Sequence, residues 1–306
     1  MALAQQGNWE GCLIVKKILV TGGAGFVGSH LCEGLLRKNY SVFSLDNYSS
    51  GTPNNHIEGV AYFTGDTKHI ADIFKNQKID AIFHLGEYSR VERSFEDIDL
   101  VFDYSWNSIY EVLKFAKDKK AKIIYSGSST KFGDQGTTIH QSPYAFVKYA
   151  NCELIKTYCE WFNLKYAITY FYNVYGEREI ALGKYATVVA IFLHLKKSGE
   201  KVLPVVSPGT QKRNFTDVRD IVSGLLLVAE KGNGDGYGIG SHQSFSILEL
   251  ADMIGLPVKM LPVRKGNRLG APVLSDKTTA LGWEAEYFLK DYIKDTIIVE
   301  DHSVIR

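Results

Sequence analysis

The chain lacks what would place it in a membrane, on a nucleic acid or around a metal. No apolar run approaches the roughly 18 residues needed to cross a bilayer. Its opening stretch, "MALAQQGNWEGCLIV", has no basic segment and only a short apolar run, so residues 1–15 read as an N-terminal extension, not a secretion signal. Charge of one sign is not in excess. The 35 Lys and Arg balance 34 Asp and Glu, leaving a net +1 and no electrostatic reason to expect nucleic acid or a membrane surface as a partner. Short basic clusters such as "KDKKAK" at 117–122 read as solvated helix ends. Cysteine is scarce: Cys12, Cys32, Cys152 and Cys159 show no C-x-x-C spacing and no neighbouring histidine cluster. That argues against a zinc site or a redox pair and suits a reducing cytoplasm. Internal repeats and low-complexity segments are also absent.

What is present is alternation. With 45% of its 306 residues hydrophobic, the chain can bury the core of one large domain or two modest ones. Six short apolar stretches read as buried strands: "KKILVTG", "YSVFSLDN", "VAYFTGD", "IDAIFHLG", "AKIIYSGS" and "KYAITYFYNVYG". Helical patterns fall between most of them: "GSHLCEGLLRKN", "HIADIFKNQK", about 97–118 and about 144–163. Nearly continuous apolar strands separated by helices predict a parallel sheet covered on both faces. Right-handed crossovers make it a doubly wound α/β sheet of the Rossmann kind. After Gly176 the alternation breaks. A helix at about 186–198 precedes "KVLPVV", an irregular "SPGTQKRNFTDV", the helical "RDIVSGLLLVAEKG" and a helix from Ser246, whose capping partner is Glu249. We read residues 16–176 as a dinucleotide-binding domain, with a return at 213–232. Residues 177–306 are then mainly a smaller substrate-binding domain.

The turn after the first strand carries Gly22, Gly25 and Gly28 in G-x-x-G-x-x-G spacing. The first glycine permits the tight turn, the second the approach of a pyrophosphate, the third close helix–strand packing. The phosphate then meets the free N–H groups of a helix N-terminus, with Phe26 and Val27 beside it. Asp46 ends the second strand 18 residues past Gly28, where a carboxylate holds the adenosine ribose and repels a 2′-phosphate; it favours NAD over NADP. Asn47 follows it. Asp66, with Thr67, either reaches the adenine or serves a turn.

Tyr144 and Lys148 lie four apart in "SPYAFVKYANCEL", hence on one helix face. A tyrosine with a pKa near 10 is a poor base, but a neighbouring ammonium stabilises phenolate and lowers that pKa. Such a pair can remove a hydroxyl proton while hydride leaves the carbon. Ser128, in the loop "YSGSSTKFG", can hold the same substrate oxygen.

Taken together, "TGGAGFVGSH", "SPYAFVK", "YNVYGER", "PGTQKRNFTDVRDIV", "YGIGS" and "SDKTTALGW" resemble the successive motifs of the extended short-chain dehydrogenase/reductases, the NAD-dependent epimerase/dehydratase family. The resemblance runs from about Lys16 to Trp283. It implies Ser128, Tyr144 and Lys148 as the catalytic triad, with the lysine also gripping the nicotinamide ribose. It implies Asn173 at the sugar or diphosphate, and Arg213 and Arg264 at the diphosphate, where a guanidinium fork suits phosphate oxygens. "HLGEYSRVERS" is similar to the "HLAAESHVDRS"-like segment that lies over cofactor and sugar. This places Leu85 and Gly86 at the cofactor. Glu87, Tyr88 and Arg90 depart from the pattern and are expected to shape the sugar pocket, with Glu87 and Ser129 contacting substrate. Ser105 stands where many relatives have asparagine, and Tyr170 where arginine is common. Relatives pair through the helices at about 97–118 and 144–163, which implies a homodimer.

Family members begin by oxidising a sugar hydroxyl, usually at C4, and then diverge. An epimerase returns the hydride to the other face, a dehydrogenase releases the ketone, and a 4,6-dehydratase goes on to expel water. The dehydratase needs an added acid and base at C5 and C6. Similar dehydratases place Asp-Glu or Glu in the opening loop, where this chain has Ser129 and Thr130. Decarboxylases also tend to have that Glu. The expectation is a nucleotide-sugar 4-epimerase acting in cell-surface polysaccharide synthesis. The alternative is a 4-dehydrogenase, since the chain also looks similar to a GDP-sugar subset that includes a GDP-heptose 4-dehydrogenase. The substrate is expected to be UDP- or GDP-linked. A dinucleotide-binding protein without catalysis is disfavoured, because Tyr144 and Lys148 are both present.

Overall fold

The computed structural model describes residues 17–263 and 272–303. Its centre is a seven-stranded sheet in which every pairing is parallel. Six strands are those expected: β1 Lys17–Thr21, β2 Ser41–Asp46, β3 Ala61–Thr64, β4 Ala81–His84, β5 Lys122–Ser128 and β6 Tyr166–Phe171. The seventh, Gly234–Ile239, lies beside β6, so the order across the sheet is Gly234–Ile239, β6, β5, β4, β1, β2, β3. Its sequence, "GDGYGI", is too rich in glycine to read as a strand; the edge of β6 supplies the register.

The two sheet faces bury different cores. Leu19, Ile82 and Ile123 meet Ile109 and Val112 of helix Asn107–Lys119 and Ile155 of helix Pro143–Phe162. Ile18, Val20 and Ile124 meet Leu31 and Leu35 of α1 (Phe26–Arg37) and Ile221 and Leu225 of helix Val218–Lys231. The helix expected at 97–118 is interrupted: Ile98–Val101 passes through a π-turn at Phe102–Trp106 before Asn107–Lys119. Helix Pro143–Phe162 is bounded by Ser142, which accepts from the Ala145 N–H at 3.1 Å, and by Asn163 in the left-handed region. "HIADIFKNQK" forms only one short turn, Ile70–Ile73. The last predicted strand ends at Phe171, before Asn173 with its positive φ of 35°.

A separate apolar core gathers helix Val188–Lys197, strand Leu203–Val206, helix Ile247–Ile254 and the start of helix Leu289–Ser303 around Phe192, Leu203, Leu250 and Leu289. A cleft of about 810 Å³ is lined by residues of this core and by residues at the C-terminal ends of the parallel strands. It includes the point between β1 and β4 where the strand order reverses, the place where open α/β sheets bind ligands.

Candidate active site

The floor of the cleft is the turn out of β1. Gly22 has a φ of +74°, and a Cβ there would lie 2.9 Å from the Cα of Gly86. A Cβ on Gly28 would come within 2.0 Å of the Gly22 carbonyl oxygen, so helix and strand can meet only with hydrogen at this position. Gly25 precedes α1 and offers no side-chain cap, and the first turn holds no acidic residue. The N–H groups of that turn therefore suit a phosphate. Phe26, Val27, Asn47, Thr67, Leu85 and Gly86 all line the cleft. So does Asp46, which accepts from Ala24 N–H at 2.9 Å and Tyr48 N–H at 2.8 Å. Burial raises its pKa, and those two bonds leave acceptor capacity for ribose hydroxyls. These residues fit the pyrophosphate and adenosine ribose of NAD. Asp66 takes the turn alternative: its carboxylate caps the following turn by accepting from Lys68 N–H at 2.9 Å, and Gly65 and Thr67 line the cleft around it.

Ser128, at the end of β5, and Tyr144, near the start of helix Pro143–Phe162, both line the same cleft, with Ser129 and Thr130. Thr130 hydrogen-bonds the Ser128 hydroxyl through its backbone N–H at 3.3 Å and its Oγ1 at 3.0 Å. Lys148, one turn on from Tyr144, points inward. Its side chain is 8% exposed, and its Nζ donates to the Ser126 carbonyl at 2.8 Å and lies 2.7 Å from Glu87 Oε2.

Glu87 is the main correction to the sequence reading. It was expected against the sugar, but its side chain is 0% exposed. Only its backbone can contribute to the cleft wall; the carboxylate turns beneath it. There it meets Lys148, accepts from Tyr125 Oη at 2.9 Å and accepts from Asn151 Nδ2 at 3.0 Å. His84 Nε2 lies 3.3 Å away, close enough for attraction but not aligned as a hydrogen bond. Burial alone would raise the Glu87 pKa, but the Lys148 charge and the neighbouring donors outweigh it and hold the carboxyl low. Conversely, burial alone would lower Lys148, and the Glu87 charge, with a smaller contribution from Tyr144, raises it. Charged loop residues are usually solvated, so nothing local in "HLGEYS" signals this burial.

The other departures are also internal. The Tyr88 hydroxyl donates to Asp97 at 2.9 Å. Ser105 is buried, accepting from Tyr88 N–H at 3.1 Å and, through its carbonyl, from Asn151 Nδ2 at 3.1 Å. Tyr170 donates to Asp235 at 2.6 Å and accepts from Lys131 at 3.0 Å, tying β6 to the strand beside it. Arg90 lines the cleft, donates to the Tyr185 carbonyl, and has no partner for its Nε.

Asn173 and Arg213 line the cleft. The Asn173 amide donates to the Asn214 carbonyl at 3.3 Å, and Arg213 donates to the Lys212 carbonyl at 2.9 Å. Arg264 lies outside the described residues. Glu179 was missed. It lines the cleft, accepts from Gly176 N–H at 3.4 Å through Oε2, and has no partner for Oε1. Burial pushes its carboxyl up to about 7. It sits within "YGEREI", a stretch whose only visible signal was the motif preceding it. Among the described residues no cluster of His, Cys, Asp or Glu could hold a metal.

Comparison with known proteins fits this geometry. The chain is 29% identical over 301 residues to a putative UDP-glucose 4-epimerase of Methanocaldococcus jannaschii, covering 92% of this chain and 97% of the relative. It is 28% identical over 320 residues to the dTDP-D-glucose 4,6-dehydratase of Bos taurus, covering 92% and 88%. Among solved structures, the UDP-glucose 4-epimerase of Thermotoga maritima with UDP-glucose has a TM-score of 0.86 at 26% identity, covering 95% of this chain and 100% of the other. That of Thermus thermophilus in complex with NAD has a TM-score of 0.85 at 25%, covering 93% and 99%. The family model "NAD dependent epimerase/dehydratase family" matches residues 18–240, and the chain belongs to that family.

Proposed function

We propose that this enzyme oxidises C4 of a nucleotide-activated sugar and returns the hydride to the opposite face, as a nucleotide-sugar 4-epimerase. The observation that carries this reading is the opening of the cleft loop. Ser128 shares the cleft with Tyr144, while Ser129 and Thr130 occupy the positions that would hold acids for eliminating water. NAD, when bound, supplies the hydride acceptor and donor. Tyr144 removes the C4 hydroxyl proton and later returns it, and Ser128 holds the same oxygen through its hydroxyl. Lys148 keeps positive charge near that tyrosine. Asn173 and Arg213 bind the sugar diphosphate. The similarity to UDP-glucose epimerases supports a UDP-linked sugar, and the motif resemblance also admits a GDP-linked one.

The test offers UDP-, GDP- and dTDP-sugars with NAD to the purified protein, follows nicotinamide absorbance and identifies products by NMR. A C4 epimer without net NADH is expected. A ketone with stoichiometric NADH would make the enzyme a 4-dehydrogenase. A 4-keto-6-deoxy product lost in Glu179→Gln would make Glu179 the missing acid and the enzyme a dehydratase. Tyr144→Phe is expected to lower turnover by about 10²–10⁴-fold, the usual worth of general acid–base catalysis; full activity in that variant would refute the reading.

Two further elements of the proposal rest on resemblance, namely a cytoplasmic place in cell-surface polysaccharide synthesis and a homodimer. For the dimer, Tyr110 and Trp161 leave apolar surface exposed on helices Asn107–Lys119 and Pro143–Phe162. Light scattering should give twice the chain mass, and substituting both residues by serine should halve it. Among the described residues no helix is long and apolar enough to cross a membrane.

A further inference from the structure

We propose that Glu87 is the fixed counter-ion of Lys148, a positioning residue that keeps this buried ammonium charged and in place beside Tyr144. The inference rests on the catalytic reading of Tyr144 and Lys148 and adds to it a residue that the family pattern does not supply. The "HLAAESHVDRS"-like segment has alanine where this chain has Glu87.

A carboxylate without solvent exposure cannot be a surface accident. Its desolvation must be offset by partners, and Glu87 has three donors within 3.0 Å: Lys148, Tyr125 and Asn151. They come from strand β5 and helix Pro143–Phe162, so the carboxylate is clamped between the two elements that carry Ser128 and Tyr144. The ionisable groups facing Lys148 are Glu87 and His84 from the end of β4, Tyr125 from β5, and Tyr144 and Cys152 from its own helix. Among these, Glu87 is the carboxylate. The Lys148 ammonium spends two donors on Glu87 and the Ser126 carbonyl, which fixes its direction. His84 extends the arrangement toward the cofactor turn. Its Nδ1 pairs with Thr21 Oγ1 at 2.8 Å, and that oxygen accepts from Leu85 and Gly86 N–H at 3.2 and 3.0 Å.

The proposal has a signed consequence. In Glu87→Gln the lysine stays buried without a counter-ion, so its folded-state pKa falls below the unfolded value. A base lowered in this way costs stability while charged, and the cost fades as pH rises and the amine neutralises. The melting temperature of Glu87→Gln should therefore lie well below that of the parent at pH 6, and the gap should narrow steadily toward pH 10. Glu87→Gln/Lys148→Met, which removes both partners, should recover part of the loss. This comparison also serves if the single variant folds poorly. On a substrate turned over in the panel assay, the parent should keep its alkaline rate while Glu87→Gln gains a descending alkaline limb, losing at least tenfold more at pH 9 than at pH 7. A gap constant with pH, no recovery in the double variant, or a pH–rate profile merely scaled down would each overturn the proposal. These outcomes are separable from failure of the catalytic reading, because the melting curves need no substrate and Tyr144→Phe tests that reading alone.

Discussion

Two clusters of ionisable groups lie beside Tyr144, and they are finished differently. In the first, the charged groups Glu87 and Lys148 themselves have donors and acceptors matched at 2.7–3.0 Å, and the unpartnered atoms, Asn151 Oδ1 and His84 Nε2, are on neighbouring side chains of the cluster. In the second, Arg90 and Glu179 feel each other's charge, and Arg90 also feels Tyr144, yet Arg90 Nε and Glu179 Oε1 lack partners. A buried polar atom left unpaired costs about 1–3 kcal/mol. The first group therefore behaves as framework. The second holds unspent bonding capacity on the wall of the cleft. The difference separates a group whose bonds are made within the protein from one with bonds left to make.

Breaking the framework should produce the larger effects. Lys148→Met strands the Glu87 carboxylate, and removal of one partner from a buried ion pair costs about 3–5 kcal/mol. Here the sign opposes that of Glu87→Gln. An unpaired buried carboxylate has a raised pKa, so the loss should be greatest above neutrality and shrink as acid protonates it, as chemical denaturation across pH would measure. Tyr125→Phe removes one hydroxyl donor from Glu87 and should cost about 1.5–3 kcal/mol, the usual worth of a hydrogen bond to a charged group, with the loss fading only as acid protonates the carboxylate. The second group should respond least, and in the opposite direction. Glu179 has its folded pKa raised to about 7, so the parent loses stability as pH climbs from the ordinary carboxylate range through 7. Glu179→Gln should match the parent near pH 5 and melt a few degrees higher at pH 8. Equal pH slopes for Glu87→Gln, Lys148→Met and Glu179→Gln would erase the distinction between the two groups.

The sequence made the cofactor half legible because its signals are local. Gly22, Gly25 and Gly28 act through backbone geometry and Asp46 through a carboxylate at a strand end, all within one strand–helix–strand unit, and a strand followed by a helix is readable from apolar spacing. The Tyr144–Lys148 pair was legible for the same reason, since helical spacing alone puts both on one face. The substrate half resisted because its walls are assembled from distant segments. Glu87 sits in a stretch that reads as a polar loop, and only the packing of Tyr125 and Asn151 against it shows that its carboxylate is internal. Glu179 is likewise defined by what surrounds it. Gly234–Ile239 was invisible as a strand because β6 provides the template from far back in the sequence: Gly234 pairs with Ala167, 67 residues earlier. The substitutions at Ser105 and Tyr170 were noticed, but their meaning lay in partners at Tyr88, Asn151 and Asp235.

That late strand has a consequence for how the molecule is made. The chain leaves the sheet after Phe171, contributes the helix Val188–Lys197 and the strand Leu203–Val206 to the other core, and only then returns to close the edge. As it emerges from the ribosome, the nascent protein holds a nearly complete sheet with β6 still bare, an apolar edge open to pairing with any passing strand. Gly234–Ile239 is thus the closing seam of the sheet, and a chain halted before it would carry Gly22 and Tyr144 in a domain whose β6 edge is unfinished and prone to aggregation.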